Sequence, residues 1–412
     1  MFGYSDNDYY CEQVPLADLA QKTGTPVYVY SAQSLLANYR AYDSAFADVP
    51  HTICYAVKAN SSLALLSLLA KAGAGFDIVS GGELFRVLKA GGDPAKVVFS
   101  GAGKTAAEIE YALASGIHSF NCESEAELAL IDSLAARLGA RAGFSLRINP
   151  DVDAVTHPYI STGLSQHKFG IAIAGAETVY ERSRRFRNIA AEGVSCHIGS
   201  QMLDDSPILE AVEKVLALAA RLREQGHAIG HVDFGGGLGI AYRPNDQAPA
   251  IPQFVERLRA RVRETGMTVM IEPGRSIAGP SGVLVTRVLY RKRNGDKEFV
   301  IVDAAMNDLI RPSLYGAHHE IVPVRRNSLP RITADVVGPV CETGDFLARG
   351  REMANVMPGD FLVVEAAGAY GFVLASNYNS RPRAPEVLVD GGAWRVIRAR
   401  ESYEDLIRGE TR

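Results

Sequence analysis

Little in this 412-residue sequence points to a disulfide framework, a metal centre or a charged macromolecular partner. Its five cysteines, Cys11, Cys54, Cys122, Cys196 and Cys341, are odd in number and contain no CxxC pair. That pattern argues against stapling disulfides and against a zinc site, and it suits a reducing compartment. No metal is expected. A net charge of −4 provides no electrostatic reason to expect nucleic acid or an anionic membrane as a partner. The basic clusters at 182–187 and 291–293 read as solvated faces. No uninterrupted apolar run approaches membrane-spanning length, and residues 1–8 are polar and acidic, without the basic start and apolar core of a secretory signal. A cytoplasmic protein is expected. No internal repeat or low-complexity tract stands out.

What the chain does contain is a succession of short apolar runs separated by helix-patterned segments, the signature of βα units. Eight strand candidates fall at 52–57, 75–79, 96–99, 118–121, 143–148, 191–197, 231–234 and 268–272. Eight units predict an α/β fold with a closed (β/α)8 TIM-type barrel of about 250 residues, ahead of a doubly wound open sheet. From residue 282 the pattern changes to β-rich runs at 283–290, 299–303, 332–337, 361–365, 386–389 and 393–397, divided by Gly, Pro and Asn. These predict a C-terminal antiparallel β-sandwich or β-barrel domain. A further strand at 26–31 precedes the first barrel unit and is expected to join that sheet. The expected organisation is an N-terminal segment 1–32 tied to the β domain, a barrel over 33–281 and the β-rich domain over 282–412.

If the barrel is closed, the residues that end its strands converge on one mouth, where barrel enzymes hold their catalytic groups. Lys58 lies where the first apolar run stops, in Tyr55-Ala56-Val57-Lys58-Ala59-Asn60, and Ser61 is placed to cap the leucine-rich helix that follows. Asp77 ends the second strand and Arg147 the fifth. After the sixth comes His197-Ile198-Gly199-Ser200-Gln201; after the seventh, Gly235-Gly236-Gly237-Leu238-Gly239; after the eighth, Glu272-Pro273-Gly274-Arg275. An amine, a carboxylate, an arginine and glycine-rich turns suggest a phosphorylated carbonyl cofactor, because glycines let backbone N–H groups approach a phosphate closely.

Competing motifs fail on spacing. A dinucleotide fingerprint from Gly235 needs glycine or alanine where Ile240 stands, and the P-loop-like Gly103-Lys104-Thr105 lacks its leading glycine, since that position is Val98. His227 and His231 precede the seventh strand, at the end away from the chemistry, and read as structural. His318-His319-Glu320 has no partnering ligand motif and reads as a polar loop.

The quoted motifs resemble those of the diaminopimelate decarboxylases, pyridoxal-phosphate enzymes that pair an alanine-racemase-like barrel with a β domain. Further matches are His157-Pro158-Tyr159-Ile160-Ser161-Thr162-Gly163, Cys341-Glu342 and Gly368-Ala369-Tyr370-Gly371. The likeness covers nearly the whole chain. Departures are small: Thr343 replaces a more usual serine, and Leu374-Ala375 replace a Met-Ser pair.

The resemblance implies that Lys58 carries pyridoxal 5'-phosphate through a Schiff base, and that Glu272 keeps the ring nitrogen protonated while His197 stacks on the ring. It assigns Ser200, Gly235, Gly236, Gly237, Gly274 and Tyr370 to the phosphate and includes Asp77, Arg147, Pro273 and Arg275 in the cofactor site. Arg275, Arg311 and Tyr315 would take the distal carboxylate of meso-2,6-diaminopimelate and Glu342 its ammonium group, with Tyr370 also at the substrate. Cys341 would donate a proton after CO2 leaves, giving L-lysine in the last step of lysine biosynthesis. A homodimer with shared active sites is implied. Singly, each residue has an ordinary explanation as a core histidine, a helix cap, a turn, a core tyrosine or a small buried hydrophobe. The alternatives are a decarboxylase of a related basic amino acid and a non-catalytic cofactor-binding regulator; a racemase is disfavoured because such relatives place arginine at the position of Glu272.

Overall fold

The computed structural model describes residues 1–152 and 168–411, so the motif at 157–163 lies outside the described residues. The chain divides into two compact units. One contains Leu36–Ile240 and Gln247–Ser276; the other contains Met1–Leu35, Ala241–Asp246 and Ile277–Arg412.

The first unit is a closed parallel barrel. Its strands are β1 (His51–Ala56), β2 (Gly75–Ile78), β3 (Val97–Phe99), β4 (Ser119–Cys122), β5 (Ala142–Asn149), β6 (Ile189–Cys196), β7 (His231–Asp233) and β8 (Thr268–Ile271). Each pairs with the next in chain order, and β8 returns to β1 through Val269 opposite His51. No edge remains in the ring, which excludes the open doubly wound sheet. A two-residue strand, Ile171–Ala172, adds to β5 outside the ring order.

These segments become strands because both of their faces are covered. In β2, β3 and β4 every residue is buried, as expected where one face meets the barrel interior and the other the helix layer. The helices begin abruptly after the strand ends. Ser80, Thr105 and Ser124 accept backbone N–H bonds from the third helical residue, satisfying donors that the first turn cannot pair internally. The expected cap at Ser61 is corrected: the cap position is Ser62, whose side chain makes no capping bond, and its N–H donates instead to Asn60 Oδ1 at 3.0 Å. At the amino-terminal end of the barrel His231 and Ser145 share a hydrogen bond of 2.8 Å, in keeping with a structural role.

The second unit centres on the long strand Gly282–Asn294, which pairs antiparallel with Lys297–Val302, Phe361–Val364 and Val27–Ser31. Val27–Ser31 also runs parallel to Glu386–Asp390, and a second parallel pairing joins Phe299–Ile301 to residues 335–337. The sheet is therefore mostly antiparallel. The strand Phe346–Met353 escapes sequence reading because two arginines and a glycine interrupt its apolar pattern. A small antiparallel sheet of Phe2–Ser5, Asp8–Cys11 and Val14–Pro15 was also not anticipated. Val27, Val29, Val283, Val285 and Val387 pack together in the core between these strands.

Among the described residues no helix is long and apolar enough to cross a membrane. Phe120 in β4 is 1% exposed and stacks on Phe99 with ring centroids 6.0 Å apart. Phe120→Ala should cost about 3–5 kcal/mol through lost burial and a residual cavity. Urea unfolding should show a lowered midpoint, whereas the exposed Phe85→Ala should stay within about 0.5 kcal/mol of the parent.

Candidate active site

Lys58 leaves β1 in a single helical turn, Val57–Ala59, at the carboxyl end of the barrel. Its Nζ donates to Asp77 Oδ2 of β2 at 2.5 Å, with the carboxylate fully buried and the amine about one-third exposed. The other oxygen, Asp77 Oδ1, is buried with no hydrogen-bond partner among the described residues. Lys58 opens into a cavity of about 360 Å³ that is also lined by Ser100, Asn121, Arg147, Phe169, His197 and Glu272. The strand-end residues of β1, β5, β6 and β8 thus meet in one space.

Arg147, His197 and Glu272 are each held by a neighbour. Arg147 Nη1 donates to Glu123 Oε1 at 3.1 Å, and its guanidinium lies 4.6 Å from the Phe169 ring centroid. Gly236 N–H donates to His197 Nδ1 at 3.1 Å. Because that nitrogen accepts, a neutral His197 carries its proton on Nε2. Burial, with Arg147 and Lys58 nearby, holds the imidazole well below its ordinary range, so the ring is uncharged at neutral pH. Glu272 Oε1 accepts from Ser100 Oγ at 3.2 Å and from Asn121 Nδ2 at 3.1 Å. Burial, then repulsion from Asp233 and Asp77, raises Glu272 well above the carboxylate range.

The glycine turn is dictated by close approach. Gly235 and Gly237 have φ of +64° and +124°. A Cβ on Gly236 would fall 2.3 Å from the Glu272 carbonyl oxygen, and one on Gly274 2.9 Å from Ala59 Cβ. The loops after β6 and β7 are joined by Met202 N–H donating to the Gly237 carbonyl at 3.0 Å and by Gln201, whose side chain bonds both backbone groups of Ile240. Arg275 Nη2 donates to Ser200 Oγ at 3.0 Å, while the Pro273 carbonyl accepts from Ala56 N–H at 3.2 Å. Ser200, the three glycines, Pro273, Gly274 and Arg275 therefore belong to one packed rim of the barrel.

The remaining candidates lie in the second unit. Arg311 opens the helix Arg311–Tyr315; its Nη1 bonds His319 Nε2 at 2.8 Å and its guanidinium lies 4.6 Å from the Tyr242 ring centroid. His319 is fully buried, with Nδ1 donating to the Glu365 carbonyl at 2.8 Å. This corrects the polar-loop reading of 318–320, because His319 is a core residue that orients Arg311. Tyr315 is half-buried. Cys341 and Glu342 are exposed, with Cys341 N–H donating to Asn379 Oδ1 at 2.9 Å. Tyr370 has φ +55°, a left-handed conformation rarely taken by non-glycine residues and often found at functional positions. Sequence reading missed Ser100, Asn121, Glu123, Phe169 and Asp233. Apart from Phe169, which no signal marked, their only available signal was a place at or near a predicted strand end. No cluster able to hold a metal occurs among the described residues.

The barrel residues fit pyridoxal phosphate. An amine opens into the cavity, a buried carboxyl group lines it, glycine backbone forms the rim, and Asp77 Oδ1 has an acceptor position still open. This combination on a closed barrel defines the class of pyridoxal-dependent enzymes with a barrel-borne lysine. Residues 32–279 match the family model described as pyridoxal-dependent decarboxylase, pyridoxal binding domain. The chain is 53% identical over 411 residues to diaminopimelate decarboxylase of Pseudomonas aeruginosa, covering 100% of this chain and 98% of the relative. It is 51% identical over 408 residues to the Vibrio cholerae diaminopimelate decarboxylase, covering 98% and 97%. The crystal structure of diaminopimelate decarboxylase from Helicobacter pylori complexed with L-lysine superposes with a TM-score of 0.92 at 43% identity, covering 95% and 98%. The chain belongs to the diaminopimelate decarboxylases.

Gly236→Ala should lower affinity for pyridoxal phosphate by about ten-fold or more, equivalent to about 1.4 kcal/mol, because the added methyl displaces the rim. Absorbance titration of the cofactor-free variant would measure this; unchanged affinity would separate the glycine rim from the phosphate.

Proposed function

We propose that this protein removes one carboxyl group of meso-2,6-diaminopimelate as CO2 and yields L-lysine, using pyridoxal 5'-phosphate. The observation that carries this reading is full-length identity of about half with diaminopimelate decarboxylases, coupled to a barrel mouth that holds Lys58 and Glu272 in one cavity. When bound, the cofactor supplies an electron sink for the pair left on carbon as CO2 departs.

The chain's own residues prepare that step. Lys58 attaches the cofactor, which requires its amine to lose a proton, and Asp77 orients that amine and accepts a hydrogen bond from it. Glu272 would meet the ring nitrogen and hold a proton there. His197, neutral and pinned by Gly236, would pack on the ring without bringing a competing positive charge. Ser200, the glycine rim and Arg275 take the phosphate, whose negative charge suits N–H donors. Tyr370 adds a hydroxyl to the phosphate. Arg147 lines the same cavity and braces the His197 carbonyl at 3.3 Å.

Substrate choice rests on groups matched to a molecule with a carboxylate and an ammonium at each end. Arg275, Arg311 and Tyr315 would bind the distal carboxylate, Glu342 would bind the distal ammonium, and Cys341 would supply the proton that replaces CO2. The fixed orientation of Arg311 between His319 and Tyr242 supports its part, since a held guanidinium loses less freedom on pairing with a carboxylate. The exposure of Cys341 and Glu342 supports a two-fold homodimer in which these residues serve the partner's barrel. The five unpaired thiols suit a reducing cytoplasm.

Release of CO2 from meso-diaminopimelate with added cofactor tests the reading directly. Lys58→Ala should abolish turnover and remove the visible absorbance of bound cofactor; retention of both would move the site away from the barrel mouth.

Shared sites predict complementation between two inactive variants. Lys58→Ala and Cys341→Ala subunits, dissociated together and reassociated, should form hybrids in which one site carries both changes and the other neither. With random exchange, half of the dimers are hybrids with one intact site of two, so about a quarter of parent activity is the ceiling. If mass measurement verifies exchange and no activity returns, Cys341 serves its own chain.

A further inference from the structure

Two carboxyl groups from different strands meet inside the barrel, and only one of them has a role so far. Asp233 ends β7 at 1% exposure, and Glu272 follows β8 at 7%. Asn121 of β4 joins them: its Nδ2 lies 3.1 Å from Asp233 Oδ2 and 3.1 Å from Glu272 Oε1. Gly235 N–H donates to Asp233 Oδ1 at 2.9 Å, and Ser100 Oγ donates to Glu272. Every one of these donors is neutral. Of the cations lining the cavity, Lys58 is engaged with Asp77 and Arg147 with Glu123, while Lys168 lies 5.1 Å from the Phe169 ring centroid.

Lys58 favours ionisation of Glu272 but is already paired with Asp77, and burial with the neighbouring carboxylates outweighs it. Asp77 adds negative charge, His197 is neutral, and the thiols of Cys54 and Cys196 are pushed up by burial and stay protonated. Two buried carboxyl groups sharing one amide donor cannot both ionise cheaply, so the pair retains one proton and titrates as a unit. Burial raises both members, and repulsion from Asp233 raises Glu272 further.

We propose that Asp233 is the proton-holding partner of Glu272: the pair carries one proton in the cofactor-free protein and delivers it to the ring nitrogen when pyridoxal phosphate binds, with Asn121 as the positioning residue that keeps the two carboxyl groups together. The inference rests on the reading that Glu272 meets the ring nitrogen. In the transfer the Glu272 O–H bond breaks as the N–H bond forms. The total charge stays at −1: a singly protonated pair beside a neutral ring nitrogen becomes two carboxylates beside a cationic one. Asp233 then contributes a second negative charge that holds the nitrogen's proton to higher pH than Glu272 alone would.

The test reads the proton itself. With 15N-labelled pyridoxal phosphate bound, NMR reports the pH at which the ring nitrogen loses its proton. Asp233→Asn keeps the shape and the acceptor for Gly235 but removes the charge, so that pH should fall by about one unit or more; Glu272→Gln should lower it further. If Glu272→Gln shifts it and Asp233→Asn does not, the role of Asp233 is overturned while that of Glu272 stands. If neither shifts it, the placement of Glu272 at the ring nitrogen fails as well. A second measurement does not depend on the Asp233 variant folding. The infrared spectrum of the cofactor-free parent minus that of Glu272→Gln should contain a protonated-carboxyl stretch at about neutral pH. The subtraction is needed because Glu83 and Asp308 are also pushed up to about 7. Absence of the difference band would overturn the shared proton.

Discussion

A charge inside a closed barrel has nowhere to go but toward another charge or a dipole. Isolating one there would cost several kcal/mol, and three pairings at this mouth are accordingly made across strands. Lys58 of β1 meets Asp77 of β2, Arg147 of β5 meets Glu123 after β4, and Asp233 of β7 meets Glu272 after β8 through Asn121 of β4. These pairings exist only if the ring closes with its strands in chain order. The same pairings leave a neutral histidine, the Lys58 amine and the raised carboxyl group of Glu272 facing a shared cavity. The chemistry proposed for the site is thus a consequence of how the barrel compensates its buried charge.

The rim follows a different constraint, that of distance between backbones. Gly236 runs so close to the Glu272 carbonyl, and Gly274 to Ala56 and Ala59, that no side chain fits. The loops after β6 and β7 are then tied to each other by backbone bonds at Met202 and by the Gln201 amide. A rim built in this way is rigid before any ligand arrives, which reduces the ordering cost of binding.

In the second unit, Arg311 depends on an arrangement of the same kind. A guanidinium that is 5% exposed is held by His319 on one side and the Tyr242 face on the other. The histidine accepts from Arg311 only because its other nitrogen donates to the Glu365 carbonyl, a contact between residues 46 positions apart in the chain.

Much of this was legible in the linear chain. The eight barrel strands lie within about two residues of the predicted runs, since strands buried on both faces have a continuous apolar signal that helix-patterned segments interrupt. Lys58, His197, the glycines from Gly235 and the segment Glu272-Pro273-Gly274-Arg275 stood out because each directly follows such a run. Other features were decided by tertiary structure alone. Asn121, Asp233 and Ser100 look like ordinary polar ends of strands until closure aims them inward at Glu272. His319 reads as a polar loop residue until packing buries it. Phe346–Met353 becomes a strand through its pairing with Ile332–Val337, against its own composition. The physical reason is common to all of these: apolar periodicity records which face of an element is buried, whereas the partner of a polar side chain depends on which distant strand closure brings beside it.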